Sequence, residues 1–109
     1  MGDSLLSQGQ FEKAKNFYAE HHAMLSDFFH SEEILFIRRN KKPHENLAVL
    51  LAAKEAAFKA SGGAWMGPRG FKTVRIAPKG KRRFVASNGH EIFFSKNKDY
   101  VVAQCVGMS

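Results

Sequence analysis

Apolar residues change their spacing once along this chain, and that change limits the folds open to it. Up to Ala60 they recur every three or four residues, and beyond Gly70 they alternate. The first pattern is that of helices and the second that of strands. In "FEKAKNFYAEHHAMLSDFF", Phe11, Phe17 or Tyr18, Met24 or Leu25, and Phe28 form one stripe, which predicts a helix. Ser31, followed by Glu32 and Glu33, marks the start of a short second helix, "SEEILFIRR". Acidic residues there face the positive end of the helix dipole. A basic turn around Pro43 should end it. From His44 a long third helix is expected, with Leu47, Leu50, Leu51 and Phe58 at helical spacing and small Ala residues allowing close packing. Gly62 and Gly63 should close it, because glycine readily takes the left-handed conformation at a helix C-terminus.

The second half reads as strands and turns. "FKTVRIA" alternates, with Val74 and Ile76 on one face, "PKG" suggests a turn, and "RRFVA" a further strand. "SNGH" contains the Asn-Gly pair favoured in tight hairpins, before the strands "EIFFS" and "YVVAQCV". The expected fold is therefore α+β: N-terminal helices followed by an antiparallel β-meander, in a single domain over residues 1–109.

Composition agrees with one packed core. Ten Phe among 109 residues argue against disorder, and the length suits one domain rather than two. Cys105 is the sole cysteine, so no internal disulfide is open to it and a reducing, cytoplasmic setting is expected. No signal peptide is recognised, and no stretch reaches the roughly 20 apolar residues of a membrane span. The formal charge of +7 suits an anionic partner: nucleic acid, phosphates or an acidic protein. "RRNKK" (Arg38 to Lys42) and "KGKRR" (Lys79 to Arg83) hold about half of the cations.

The stretch "LLAAKEAAFKASGG" (Leu50 to Gly63) carries the chemistry. Glu55 and Lys59 lie four apart with the carboxylate first, the favourable order for a surface ion pair. Glu55 also follows Leu51 by four residues and so borders the apolar stripe, where a carboxylate needs a partner or a metal. The glycine pair lets a ligand approach the backbone closely. Lys79, Lys81, Arg82 and Arg83 offer downstream cations suited to phosphate. Together these residues describe a polyphosphate site in which a carboxylate holds Mg²⁺.

"LAAKEAAFKASGG" resembles the signature of the 4′-phosphopantetheinyl transferases, in particular the holo-acyl-carrier-protein synthase type, whose helix reads approximately "FAAKEAxxKAxG". "FFHSEEILFIRR", "GFKTVRIAPKGKRRFVA" and "KNKDYVVAQCV" resemble flanking segments of the same family in the same order, so the likeness runs from Phe28 to Val106. It implies Mg²⁺-dependent transfer of the phosphopantetheine arm of coenzyme A to a serine of an acidic acyl carrier protein. It further implies Glu55 as a metal ligand and Lys59 as the lysine facing the pyrophosphate. Lys54, Ser61, Gly62 and Gly63 would be coenzyme A contacts, with Lys81 and Arg82 toward the nucleotide phosphates. The resemblance also implies a homo-oligomer, in particular a trimer, as expected of family chains of this size.

The chain departs from the family pattern in places. Where the family opens with a metal-binding aspartate, Ser4 stands here, with Asp3 one residue away as the substitute ligand. Glu91 and Lys96 occupy the places of two histidines, with His90 adjacent, and Arg82 replaces a turn proline. A weakened or inactive relative that still binds coenzyme A is therefore an alternative. A basic nucleic-acid-binding module is another, its strands carrying Phe84, Phe93 and Phe94 near cations. His21 and His22 are adjacent and read as structural or surface residues, Cys105 as core, and Trp65 as packing over a helix end.

Overall fold

A computed structural model describes residues 6–60, 74–80, 83–87 and 89–106. The elements run β1 (Leu6–Gln10), α1 (Phe11–His21), a 3₁₀ segment (His22–Asp27), α2 (Ser31–Arg38), α3 (Pro43–Ala60), β2 (Ile76–Gly80), β3 (Arg83–Ala86), β4 (Glu91–Lys96) and β5 (Tyr100–Val106). Among the described residues five strands form one sheet in the order β1-β5-β4-β3-β2, every neighbouring pair antiparallel. The α+β architecture and the β2–β5 meander thus stand as the spacing indicates.

β1 is the element that the sequence hides. "LSQGQ" holds no β-branched or aromatic residue, yet it pairs with β5 from Leu6↔Gln104 to Gln10↔Tyr100. Strand formation depends on context, and an unpaired edge of β5 supplies it. Phe11 N–H then donates to Asp99 C=O at 3.1 Å, so the chain turns from strand into α1 without a loop.

The expected single helix through Phe28 divides after His21. Met24 takes φ −129°, ψ 31°, which breaks the helical course and leaves its side chain half exposed while Leu25 is buried. Leu25 C=O accepts from both Phe28 N–H and Phe29 N–H, at 3.0 and 2.9 Å, which closes the turn. His21 stays beside Phe17 and Phe28 with ring centroids 4.5 and 5.1 Å away, and His22 is exposed. α2 starts at Ser31, with extended His30 as its N-cap residue rather than Ser31 itself. His30 N–H donates to Glu33 Oε1 at 2.8 Å, the reaching-back half of a capping box.

Pro43 occupies the first position of α3, where a missing N–H does no harm. Asn46 Nδ2 donates to Phe36 C=O at 2.7 Å and Lys42 N–H to Asn40 Oδ1 at 2.9 Å, fixing the turn between α2 and α3. α3 is apolar nearly all round because it lies between the sheet and the other helices. Leu47, Ala48, Val49, Leu50, Ala52, Ala53, Ala56 and Ala57 are all buried. The alanines let the neighbouring elements approach its backbone. From the sheet side, Ile76, Phe84, Ala86, Ile92, Val101, Ala103 and Cys105 complete the core. Burial pushes the Cys105 thiol pKa up, so it stays protonated and unreactive.

The expected "PKG" turn is instead part of β2. The register slips between Pro78↔Phe84 and Gly80↔Arg83, and Gly80 takes φ +150°. β2 is an edge strand, where proline and an irregular ladder are tolerated. The Asn-Gly hairpin is as expected at its described residues. Ala86 N–H donates to His90 C=O at 2.9 Å, and Gly89 turns with φ +90°. On the sheet face away from α3, Phe93 and Val106 are exposed, beside an Arg83–Glu91 ion pair at 2.9 Å. Phe84 is in the core and stacks on half-buried Phe94 at 5.1 Å. Two of the three aromatics of the nucleic-acid reading are therefore packing residues.

Candidate active site

α3 carries two charged pairs that begin one residue apart. In the first, Lys59 Nζ lies 3.0 Å from Glu55 Oε2, and the two side chains are 37% and 29% exposed. Glu55 follows the core residues Leu50, Ala52 and Ala53 and is itself only partly exposed. The i,i+4 spacing places Lys59 one turn on, where its flexible ammonium reaches the same carboxylate. The structure thus brings together the two residues that the sequence marks as catalytic, on a partly open face of the longest helix.

In the second pair, Lys54 Nζ lies 2.7 Å from Glu33 Oε2, and both side chains have no exposure at all. Lys54 Nζ also donates to Val74 C=O, and Ile76 N–H donates to Glu33 Oε2 at 2.9 Å. Glu33 therefore accepts from Lys54, from His30 N–H and from Ile76 N–H, linking α2, α3 and the start of β2. The Lys54 ammonium also sits 5.8 Å from the centroid of the Phe29 ring. Burial lowers the Lys54 pKa from the ordinary 10.5, and the adjacent Glu33 carboxylate opposes that shift. Just before β2, Arg75 pairs with Glu32 at the surface.

Lys54, expected from the resemblance as a coenzyme A contact, is placed in this enclosed pair. Its ammonium is enclosed and engaged by Glu33 and Val74 C=O. The partner, Glu33, escapes a sequence reading because a glutamate at the start of a helix is already explained by the dipole. A signal was nonetheless present. Lys54 stands among Ala52, Ala53, Ala56 and Ala57, and a cation on so apolar a stretch requires a buried counter-charge.

Asp3, Ser61, Gly62, Gly63, Lys81 and Arg82 lie outside the described residues, as does Trp65. Of the residues at the family's histidine positions, Glu91 is engaged by Arg83 and Lys96 is exposed. No three His, Cys, Asp or Glu side chains gather into a metal-binding group among the described residues. The partly exposed Glu55 carboxylate is of the chemistry that would suit a magnesium ion whose remaining ligands would be phosphate oxygens and water. No helix among the described residues is long and apolar enough to cross a membrane.

The family model of the 4′-phosphopantetheinyl transferase superfamily matches residues 10–105. The chain belongs to that superfamily. Its fold is similar to that of the holo-acyl-carrier-protein synthase AcpS from Neisseria meningitidis, with a TM-score of 0.76 over 95% of each chain at 21% identity. No curated protein sequence matches the chain.

Proposed function

We propose that this protein transfers the 4′-phosphopantetheine arm of coenzyme A to a serine hydroxyl of an acyl carrier protein, with Mg²⁺ as cofactor. The observation that carries the proposal is the meeting of Glu55 and Lys59 at 3.0 Å on a partly open helix face, inside a superfamily match spanning nearly the whole chain. In this reaction the serine oxygen forms a bond to the phosphorus bearing the pantetheine arm. The phosphorus–oxygen bond to adenosine 3′,5′-bisphosphate breaks, and the serine proton is lost to a base. Lys59, released from Glu55, sets its ammonium against the charge that gathers on the departing phosphate. Glu55 is the ligand that would hold Mg²⁺, which when bound would neutralise the pyrophosphate. Asp3 is proposed as a second ligand, with Ser61, Gly62, Gly63, Lys81 and Arg82 toward coenzyme A.

The carrier's acidity suits the net charge of +7, and the buried thiol of Cys105 suits a reducing cytoplasm. Assembly between copies, with a trimer as the expected form, is supported by the exposed Phe93 and Val106 on the sheet face away from α3. A second reading, a relative that binds coenzyme A without transferring its arm, is favoured by Glu91. At a family histidine position it is tied to Arg83 rather than offered to a ligand.

Incubation with coenzyme A, Mg²⁺ and apo carrier, followed by the carrier's intact mass, tests the proposal. The wild type is expected to add one phosphopantetheine, and Glu55→Ala is expected to add none. Magnesium-dependent binding of coenzyme A without any mass gain establishes the second reading instead. Neither signal, with salt-sensitive binding to oligonucleotides, points to the nucleic-acid alternative.

A further inference from the structure

The buried pair lies beside the open one, and its geometry carries a consequence for it. Lys54 is anchored to two elements outside its own helix: Glu33 on α2 at 2.7 Å, and Val74 C=O at the approach to β2. Glu33 is in turn fixed by His30 N–H and Ile76 N–H, at 2.8 and 2.9 Å. The charge centre therefore cannot shift without breaking hydrogen bonds to three separate parts of the chain. A helix turns by about 100° per residue, so Glu55 lies about 100° and Lys59 about 140° around α3 from Lys54. Any roll of α3 about its axis carries both of them with it. The alanines around Lys54 resist such roll poorly, since small apolar side chains interdigitate little.

We propose that Glu33 and Lys54 are positioning residues: their enclosed ion pair fixes the roll of α3 and so holds Glu55 and Lys59 at the working face. This rests on the reading of Glu55 and Lys59 as the reacting site. Apolar residues of similar volume often replace a buried pair without loss of stability. The pair is thus retained here for geometry. Small misplacements of reacting groups slow a reaction steeply, so the effect falls on turnover rather than on folding.

The test compares the wild type with the double variant Glu33→Leu/Lys54→Met and with Glu33→Gln. Three quantities are read: thermal melting, the nuclear Overhauser contacts of α3 side chains with α1 and β5, which report the roll, and kcat and KM for coenzyme A in carrier modification. The double variant is expected to melt cooperatively, to change the contacts of α3 with α1 and β5, and to drop at least tenfold in kcat with KM changed less than twofold. Should the double variant fail to fold, the same changes are expected in Glu33→Gln. Unchanged contacts and kcat in a folded variant overturn the proposal. Failure of both variants to melt cooperatively also overturns it, making the pair a requirement of folding alone. A wild type that transfers nothing refutes the transferase reading instead, and the contacts of α3 with α1 and β5 then decide the positioning claim by themselves.

Discussion

Lys54 and Glu55 are neighbours in sequence, yet each belongs to a carboxylate–lysine pair with the opposite relation to water. Glu33–Lys54 is wholly enclosed and ties α2, α3 and the approach to β2, whereas Glu55–Lys59 is about one-third exposed and stays within one helix. An enclosed pair is strong only while complete, since losing one partner strands a charge in the core. A half-exposed pair holds its partners weakly and releases them to a ligand. The same residue types therefore serve structure in one place and chemistry in the next.

The largest expected effect comes from breaking the enclosed pair. Glu33→Ala should lower stability by about 3–5 kcal/mol, measured by urea unfolding, because the Lys54 ammonium is left unpaired. A loss no greater than that of Glu55→Ala would erase the contrast between the pairs. Next in size is the open pair's contribution to chemistry. Lys59→Met should reduce kcat for carrier modification by about a hundredfold, about 2.7 kcal/mol of barrier, while the melting temperature hardly moves.

A pH series sharpens the comparison further. Because burial lowers the Lys54 pKa, the folded chain releases that proton at a lower pH than the unfolded chain does. Between the lowered value and the unfolded value of 10.5 the unfolded state binds more protons, so this residue's contribution makes stability rise with pH across that window. The urea midpoint of the wild type should therefore gain on that of Glu33→Leu/Lys54→Met as pH climbs toward 10.5. The smallest effect is the stabilising coupling between Glu55 and Lys59. A double-mutant cycle should give about 0.3–0.5 kcal/mol, falling with salt.

Much of this architecture was legible in the order of residues, because spacing reports burial directly. α2, α3, the Asn-Gly hairpin and the last two strands follow from apolar periodicity and turn residues. β1 was not legible, because its pairing depends on the free edge of β5, some 90 residues on, rather than on its own composition. The break at Met24 was equally hidden, since Met24 and Leu25 satisfy the helical stripe about equally well and only packing chooses between them. At the site, the i,i+4 relation of Glu55 and Lys59 is a local property and was visible. The Glu33–Lys54 pair spans 21 residues and two helices, and no local rule connects its members.

A crystal structure grown with coenzyme A and Mg²⁺ tests the central claim most directly. The Glu55 carboxylate is predicted on the metal beside the pyrophosphate, with Lys59 turned from Glu55 to the phosphate and Lys54 still enclosed on Glu33. A Glu55 side chain pointing into bulk solvent, away from any bound ion, would contradict the account.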